Sequence, residues 1–350
     1  MRRPEVGYWK TLERSKDPIR SLLSLFVDVE VVHTARRICL ILSGVSFRAA
    51  VSQMALSIIE LFGYDAADVS RVAADARAGR RCPFIQSSCT KMFNDGQLSG
   101  VCTIKPSTSE PVICCPNRLY ADEYAVLRDV ANSALGRELR LVSATELLQR
   151  QHLESCVLVF GKRWGKELRL PNRGRRGSYS VDWVLALIDA QGELEQFVAV
   201  EIQSIDTTGT YRPEWNARMN GEANPKASKA GLNWENVSKR ILPQLIYKGH
   251  VLRLEPLCRK GLFFVCPRPV FERINERLGG ALRPYPVAAG ALTFRWYDLG
   301  QEAAMGSHRT LAFGGEFTTT VDQIVNAFSS PTNLPPAQAY EQAIRRELGL

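Results

Sequence analysis

Residues 179–206 read YSVDWVLALIDAQGELEQFVAVEIQSID. Two apolar, β-branched runs flank a short polar break, and each carries one acid, Asp182 or Glu201, where a sheet interior would normally take none. The break Ala190-Gln191-Gly192-Glu193 has the composition of a tight turn, with glycine available for positive φ, so strands over 181–189 and 194–206 are expected to pair antiparallel. With the turn centred between Gln191 and Gly192, opposed residue numbers total 383 and Asp182 falls directly across from Glu201. A one-residue bulge would break this register. Facing Cβ atoms lie about 4.5 to 5.5 Å apart, and like charges so placed are destabilising unless something compensates. A divalent cation would do so. Alternation places Gln203 on the face of Glu201, with Ala199 and Phe197, while Val198, Val200 and Ile202 pack behind. Hard carboxylate oxygens favour Mg²⁺, which keeps several waters and binds a phosphate oxygen, the arrangement that hydrolyses phosphodiesters. The structural alternative pairs the two acids with nearby arginines.

Outward from this hairpin the strand pattern continues. SCVLVFG (155–161) and KGLFFVCP (260–267) are short β-rich runs, and NWENVSKRILPQLIYKG (233–249) reads as a helix. TYRPEWNARMNGEANPKASKAGLNWENVSK, between two strands, reads as a surface excursion whose Trp215 and Trp234 anchor its ends. Residues 121–155 read as helical, with a Ser143-x-x-Glu146 capping box opening the second helix. Residues 20–78 also read as mostly helical, with apolar positions recurring at three and four. Strands with covering helices imply an α/β fold, a mixed central sheet flanked by helices. The organisation expected is a helical region over 1–78, a cysteine-rich, loop-rich segment over 79–120, the sheet-bearing core over 121–275, and a C-terminal region over 276–350 that carries no recognisable motif.

At 350 residues and 45% hydrophobic content, the chain can bury one large or two ordinary cores. Its longest apolar run, ICLILSGVSFRAAVSQMALSIIELFG, is interrupted by Ser43, Gly44, Arg48, Ser52 and Gln53, which argues against a membrane span. The first residues lack the apolar core of a secretion signal, so a cytoplasmic location is expected. The net charge of +9 favours a polyanionic partner. GKRWGKELRLPNRGRRGSYS (161–180) holds seven Lys or Arg against one Glu immediately before Asp182. Arg173, Arg175 and Arg176 are candidates to neutralise DNA phosphates, against the alternative of a solvated loop. Glu167, fifteen positions before Asp182, is a candidate further acid, against an ordinary surface ion pair.

Nine cysteines, an odd number without a secretion signal, argue against a disulfide framework. Five cluster at Cys82, Cys89, Cys102, Cys114 and Cys115 among turns and prolines. There, four thiolates could close a tetrahedral metal site in a segment with little periodic apolar pattern. Cys39, Cys156, Cys258 and Cys266 sit in apolar or strand-like settings as small buried thiols.

Asp182 on one strand with Glu201-x-Gln203 on the next resembles the PD-(D/E)xK nuclease motif, glutamine standing where lysine is usual. Together with CPFIQSSCTK, GVC and CCPNRLY upstream, the order resembles the NotI-type restriction endonucleases over roughly residues 80–270. The resemblance implies a PD-(D/E)xK-like core in a sequence-specific type II endonuclease acting on double-stranded DNA, as a homodimer on a two-fold site, alongside a cognate DNA methyltransferase. It implies Asp182 and Glu201 as Mg²⁺ ligands and Gln203 in the lysine position. It implies Cys82, Cys89, Cys102 and one of Cys114 or Cys115 as ligands of structural iron or zinc, with Cys115 favoured because it precedes Pro116, and iron favoured over zinc. The competing readings are a repair or junction-resolving nuclease on the same core, and a non-catalytic DNA-binding regulator using the four-cysteine module.

Overall fold

The computed structural model describes residues 56–136, 138–149, 154–164, 166–168, 180–222 and 225–350. Arg173, Arg175, Arg176, Cys39 and the 1–55 part of the expected helical region lie outside them.

A seven-stranded mixed sheet organises the larger part of the chain, in the order β15-β14-β13-β10-β9-β8-β7. Its strands are β7 (Leu141–Val142), β8 (Cys156–Gly161), β9 (Trp183–Ile188), β10 (Leu194–Ile202), β13 (Leu262–Pro267), β14 (Ala291–Leu299) and β15 (Leu311–Thr320). Pairs β8/β9, β9/β10 and β14/β15 are antiparallel, and β7/β8, β10/β13 and β13/β14 are parallel. Parallel neighbours need helical crossovers. Helix α5 (Leu242–Leu252), entered through a π-turn at Val237–Ile241, carries the chain from β10 towards β13, and α6 (Arg268–Arg277) leads from β13 to β14. This is the mixed, helix-flanked sheet that the sequence implies. The capping box also forms, with Ser143 Oγ accepting from the Glu146 N–H and Glu146 Oε2 accepting from the Ser143 N–H at 2.7 Å, so α3 (Ala144–Leu148) starts where expected.

Residues 56–65 depart from the expected helix. They form β1 (Leu56–Leu61) and β2 (Tyr64–Asp65), a tight hairpin, and the helix α1 begins only at Arg71. Period two wins over period three or four because Leu56, Ile58 and Glu60 are buried while Ser57 and Ile59 are half-buried. Phe62 and Gly63 both take positive φ, 51° and 89°, as the turn between such strands requires. With β5 (Val101–Pro106) and β6 (Val112–Ile113) they complete a four-stranded sheet in the order β2-β1-β5-β6, so the cysteine segment is built on a sheet and is less loop-like than its sequence suggests. Its buried centre is an ion pair: Arg118 Nε donates to Glu60 Oε2 at 2.9 Å and Nη2 to Glu60 Oε1 at 3.1 Å, and Nη2 also reaches the Arg309 carbonyl at 2.6 Å. The excursion after β10 is pinned back as anticipated, with Trp215 buried and its indole donating to the Ser99 carbonyl. The Glu214 carboxylate accepts from the Ile58 N–H at 2.7 Å.

Trp183, next to Asp182, is buried against Gly161 of β8, its direct cross-strand neighbour. A Cβ at position 161 would stand 2.1 Å from Trp183 Cε3. Tyr120 and Tyr124, at the start of α2 (Ala121–Leu135), pack their rings edge-on against the indole at 5.5 and 5.3 Å. Gly161→Ala is therefore expected to force the indole out of this cage and cost about 1–3 kcal/mol of stability. Denaturant titration checks it, and an unchanged midpoint would show that the cage yields freely.

Candidate active site

The β9/β10 register carries the site. Val200 pairs with Trp183, Ala199 with Val184 and Val198 with Leu185, so the next pair in line is Glu201 with Asp182, as the count from the turn predicts. The route to that register is different. The turn is centred on Gln191, with the Asp189 N–H bonded to the Glu193 carbonyl at 3.0 Å, and Ile188 pairs with Leu194. An irregularity between Leu194 and Gln196 then adds the one residue that restores the predicted pairing.

Asp182 and Glu201 are joined reciprocally. The Asp182 N–H donates to Glu201 Oε1 at 3.2 Å, and the Ile202 N–H donates to Asp182 Oδ2 at 2.9 Å. Asp182 is exposed at the strand entrance and Glu201 is 8% exposed. Val198, Val200 and Ile202 are buried on the opposite face, as alternation requires. Lys248 of α5 places its ammonium on Glu201 Oε1, with the lysine side chain 17% exposed. No arginine among the described residues pairs with either acid, and the cation on Glu201 is Lys248. Burial, and next the charge of Asp182, push the Glu201 carboxyl up to about 8, against the pull of Lys248. Burial and then Asp182 also raise the Tyr120 phenol, so Tyr120 feels the same carboxylate.

One oxygen of each acid is thus tied to the protein, while Asp182 Oδ1 and Glu201 Oε2 take no hydrogen bond from the described residues. Two carboxylates with one oxygen each to spare suit Mg²⁺, which binds through one or two carboxylates and fills its remaining positions with water and phosphate.

Residues 66–276, more than half of the chain, match the restriction endonuclease NotI family. The chain belongs to this family. Its activity class is thereby DNA cleavage by a restriction endonuclease, a hydrolase acting on DNA. No curated protein matches the chain closely enough to add to this. The NotI span takes in the acid pair, Lys248 and all five clustered cysteines, and ends in α6 before β14 and β15. No described helix is long and apolar enough to cross a membrane.

The other expected site residues are less tightly gathered. Gln203 is half-buried, its N–H continues the ladder to the Val265 carbonyl at 3.0 Å, and its amide Nε2 turns to the Ser204 carbonyl at 3.3 Å. Glu167 is half-buried in the segment whose next residue, Leu168, lines an apolar cavity of about 290 Å³ beside Lys248. Cys82 lies in β3 (Arg81–Cys82), Cys89 just past β4 (Ser87–Ser88), Cys102 in β5, and Cys115 two residues past β6, all buried. Burial raises the Cys82, Cys89, Cys102 and Cys115 thiols. The electrostatic influences run between Cys82 and Cys89, between Cys102 and Cys115, between Cys82 and each of Cys102 and Cys115, and between Cys114 and Cys115. Cys114 directs its thiol at the carbonyls of Val101 (3.7 Å) and Cys102 (3.5 Å), and Cys102 likewise directs its own at the Gly100 carbonyl at 3.4 Å. No group of three or more His, Cys, Asp or Glu among the described residues is arranged as a metal-holding cluster.

Lys248 went unread in the sequence, yet its signal is there. It occupies the apolar stripe of α5, three residues after Leu245 and four before Leu252, both buried. A lysine at such a position needs a buried anion.

The Glu201 shift sets a pH dependence. Its folded value lies above the ordinary 4.5, so the folded state holds the proton more tightly. The stability this contributes is full below about 4.5 and is lost as pH rises towards about 8. In EDTA, the melting temperature of the parent relative to Glu201→Gln should therefore fall across that interval, and Mg²⁺ at pH 8 should raise the parent alone. A difference constant with pH would remove Glu201 as the titrating group.

Proposed function

We propose that this member of the NotI family is a Mg²⁺-dependent type II endonuclease on a PD-(D/E)xK-type core. It cuts double-stranded DNA at a defined sequence, as a homodimer on a two-fold site, in a restriction-modification system with a cognate methyltransferase. The observation that carries this reading is the reciprocal hydrogen-bonded pair Asp182 and Glu201, with one oxygen of each acid taking no hydrogen bond from the described residues. Two acids this close either keep a proton on one of them or need a cation beside them.

Asp182 and Glu201 would hold Mg²⁺, which when bound lowers the pKa of attached water and neutralises charge on the phosphate. The main-chain bonds at Asp182 and Ile202 hold both carboxylates in place, so little reorganisation is needed when a cation enters. Gln203, a neutral amide, would orient water without lending it charge, and Glu167 would supply a further acid. Arg173, Arg175 and Arg176 would neutralise phosphates flanking the cut.

In the cysteine segment, Cys82, Cys89, Cys102 and Cys115 would hold structural iron or zinc. Supporting this is the burial of these cysteines close enough to influence one another electrostatically, and Cys115 is taken over Cys114 because it directly precedes Pro116. Bound metal would reverse the burial effect by keeping the thiols deprotonated. Purified protein should carry about one equivalent of iron plus zinc, lost on Cys82→Ser or Cys102→Ser and kept in Cys114→Ser. Elemental analysis decides this, and less than half an equivalent in the parent would refute the site.

The cleavage test is a supercoiled plasmid with Mg²⁺. Discrete bands, with Asp182→Asn or Glu201→Gln slowing cleavage by about 10³-fold or more at unchanged DNA affinity in Ca²⁺, are the expected result. Cutting confined to branched or damaged DNA would point to a junction-resolving or repair enzyme. Sequence-specific binding with no cutting would point to a regulator.

A further inference from the structure

The proposed cleavage chemistry needs positive charge near the scissile phosphate, and the position that usually supplies it holds Gln203, whose amide turns to the Ser204 carbonyl. The acid pair nonetheless touches a cation. Lys248, 47 residues downstream of Glu201, sets its ammonium on Glu201 Oε1 from the far side of the β10-to-β13 crossover. We propose that Lys248 is the resident cation of the cleavage site, contacting the scissile phosphate that a metal on Asp182 and Glu201 would draw in. This rests on the nuclease reading and adds to it a residue that neither the acid pair nor the Glu-x-Gln stretch contains.

Three observations support a working rather than a merely structural lysine. The first is its place. The face of α5 that carries Leu245 and Leu252 packs into the core, and the cavity beside Lys248 is lined by Phe160, Val184, Phe197 and Val251. A leucine or methionine there would suit the packing, since replacing a buried ion pair by apolar residues is often neutral or stabilising. The second is that the ammonium sits on the acid-pair side of that cavity, while its methylene stem lies along the apolar wall. Among the described residues it is the cation in contact with the pair. The third is charge. With Glu201 ionised, as a bound cation would keep it, Asp182, Glu201 and Lys248 together carry one net negative charge, a divalent ion makes that one net positive, and a phosphodiester brings one negative. Without the lysine the loaded site would be neutral before DNA arrives, with nothing left to meet the charge that builds on the phosphate. Reach is adequate. The ammonium already rests on Glu201, which would hold the ion, and its flexible four-carbon stem lets it move to a neighbouring phosphate oxygen.

Lys248→Met keeps most of the stem and removes the charge, and Lys248→Arg keeps the charge. Binding of a cognate duplex is measured in Ca²⁺ across a salt series, and cleavage as a single-turnover rate in saturating Mg²⁺. If the inference holds, Lys248→Met lowers the slope of log affinity against log salt by about one, the signature of one lost phosphate contact, whereas Lys248→Arg keeps the parent slope. The cleavage rate should fall by about 100-fold or more in Lys248→Met and by less than about tenfold in Lys248→Arg. A lysine that only braces Glu201 would leave the slope unchanged, and that result overturns the proposal whatever the rate does. A lowered slope with a parent-like rate overturns it as well, by making the contact irrelevant to cleavage. Should Lys248→Met leave Glu201 unpaired and fail to fold, Glu201→Gln is compared with Glu201→Gln/Lys248→Met, which buries no orphaned charge. The same loss of about one in slope between those two supports the contact, and equal slopes overturn it. A parent that cuts while Lys248→Met cuts equally sinks this inference alone. A parent that cuts no DNA sinks the nuclease reading and this inference with it.

Discussion

Two carboxylates facing each other across an antiparallel strand pair constrain the rest of this structure. Asp182 and Glu201 would repel if left alone in a sheet, and burial of Glu201 sharpens the problem by weakening solvent screening. The fold answers with main-chain donors and a cation. The Asp182 and Ile202 N–H groups each hold one carboxylate oxygen, and Lys248 lies on Glu201. These contacts do not discharge the tension fully, since Glu201 remains far above the ordinary range of a glutamate.

The scaffold around the pair is rigid where the chemistry requires it. Glycine at 161 lets Trp183 lie flat against β8, and Tyr120 and Tyr124 close the indole in from α2, so the residue beside Asp182 has little freedom. The α5 crossover between parallel strands β10 and β13 brings Lys248 over the same face. On the other side of Tyr120, the buried Glu60–Arg118 pair fastens the Cys115–Tyr120 turn to the four-stranded sheet. The cysteine segment, Tyr120 and Trp183, the neighbour of Asp182, belong to one continuous core.

The two strands, their antiparallel pairing, the polar turn and the facing of Asp182 with Glu201 all follow from local pattern: alternation has a fixed period and a short turn leaves few registers. The register held even though the turn is a residue shorter than the symmetric one, because a bulge made up the difference next to it. Residues 56–65 misled for a physical reason. Ten residues with three or four apolar spacings satisfy a helix as well as a strand, and only pairing with β5, about 40 positions away, decides between them.

Chemistry brought together over long separations could not be read from pattern. Lys248 stands in a helix that reads as amphipathic, and only the crossover geometry shows that its one charged intruder meets Glu201. Which of Cys114 and Cys115 would serve as a ligand is likewise a matter of side-chain direction after β6, which spacing along the chain does not fix. Periodicity and turn chemistry act between near neighbours, so composition and spacing alone establish the elements and the acid pair. Contacts between distant segments depend on how helices and sheets pack, and only the folded chain decides which cation stands beside which anion.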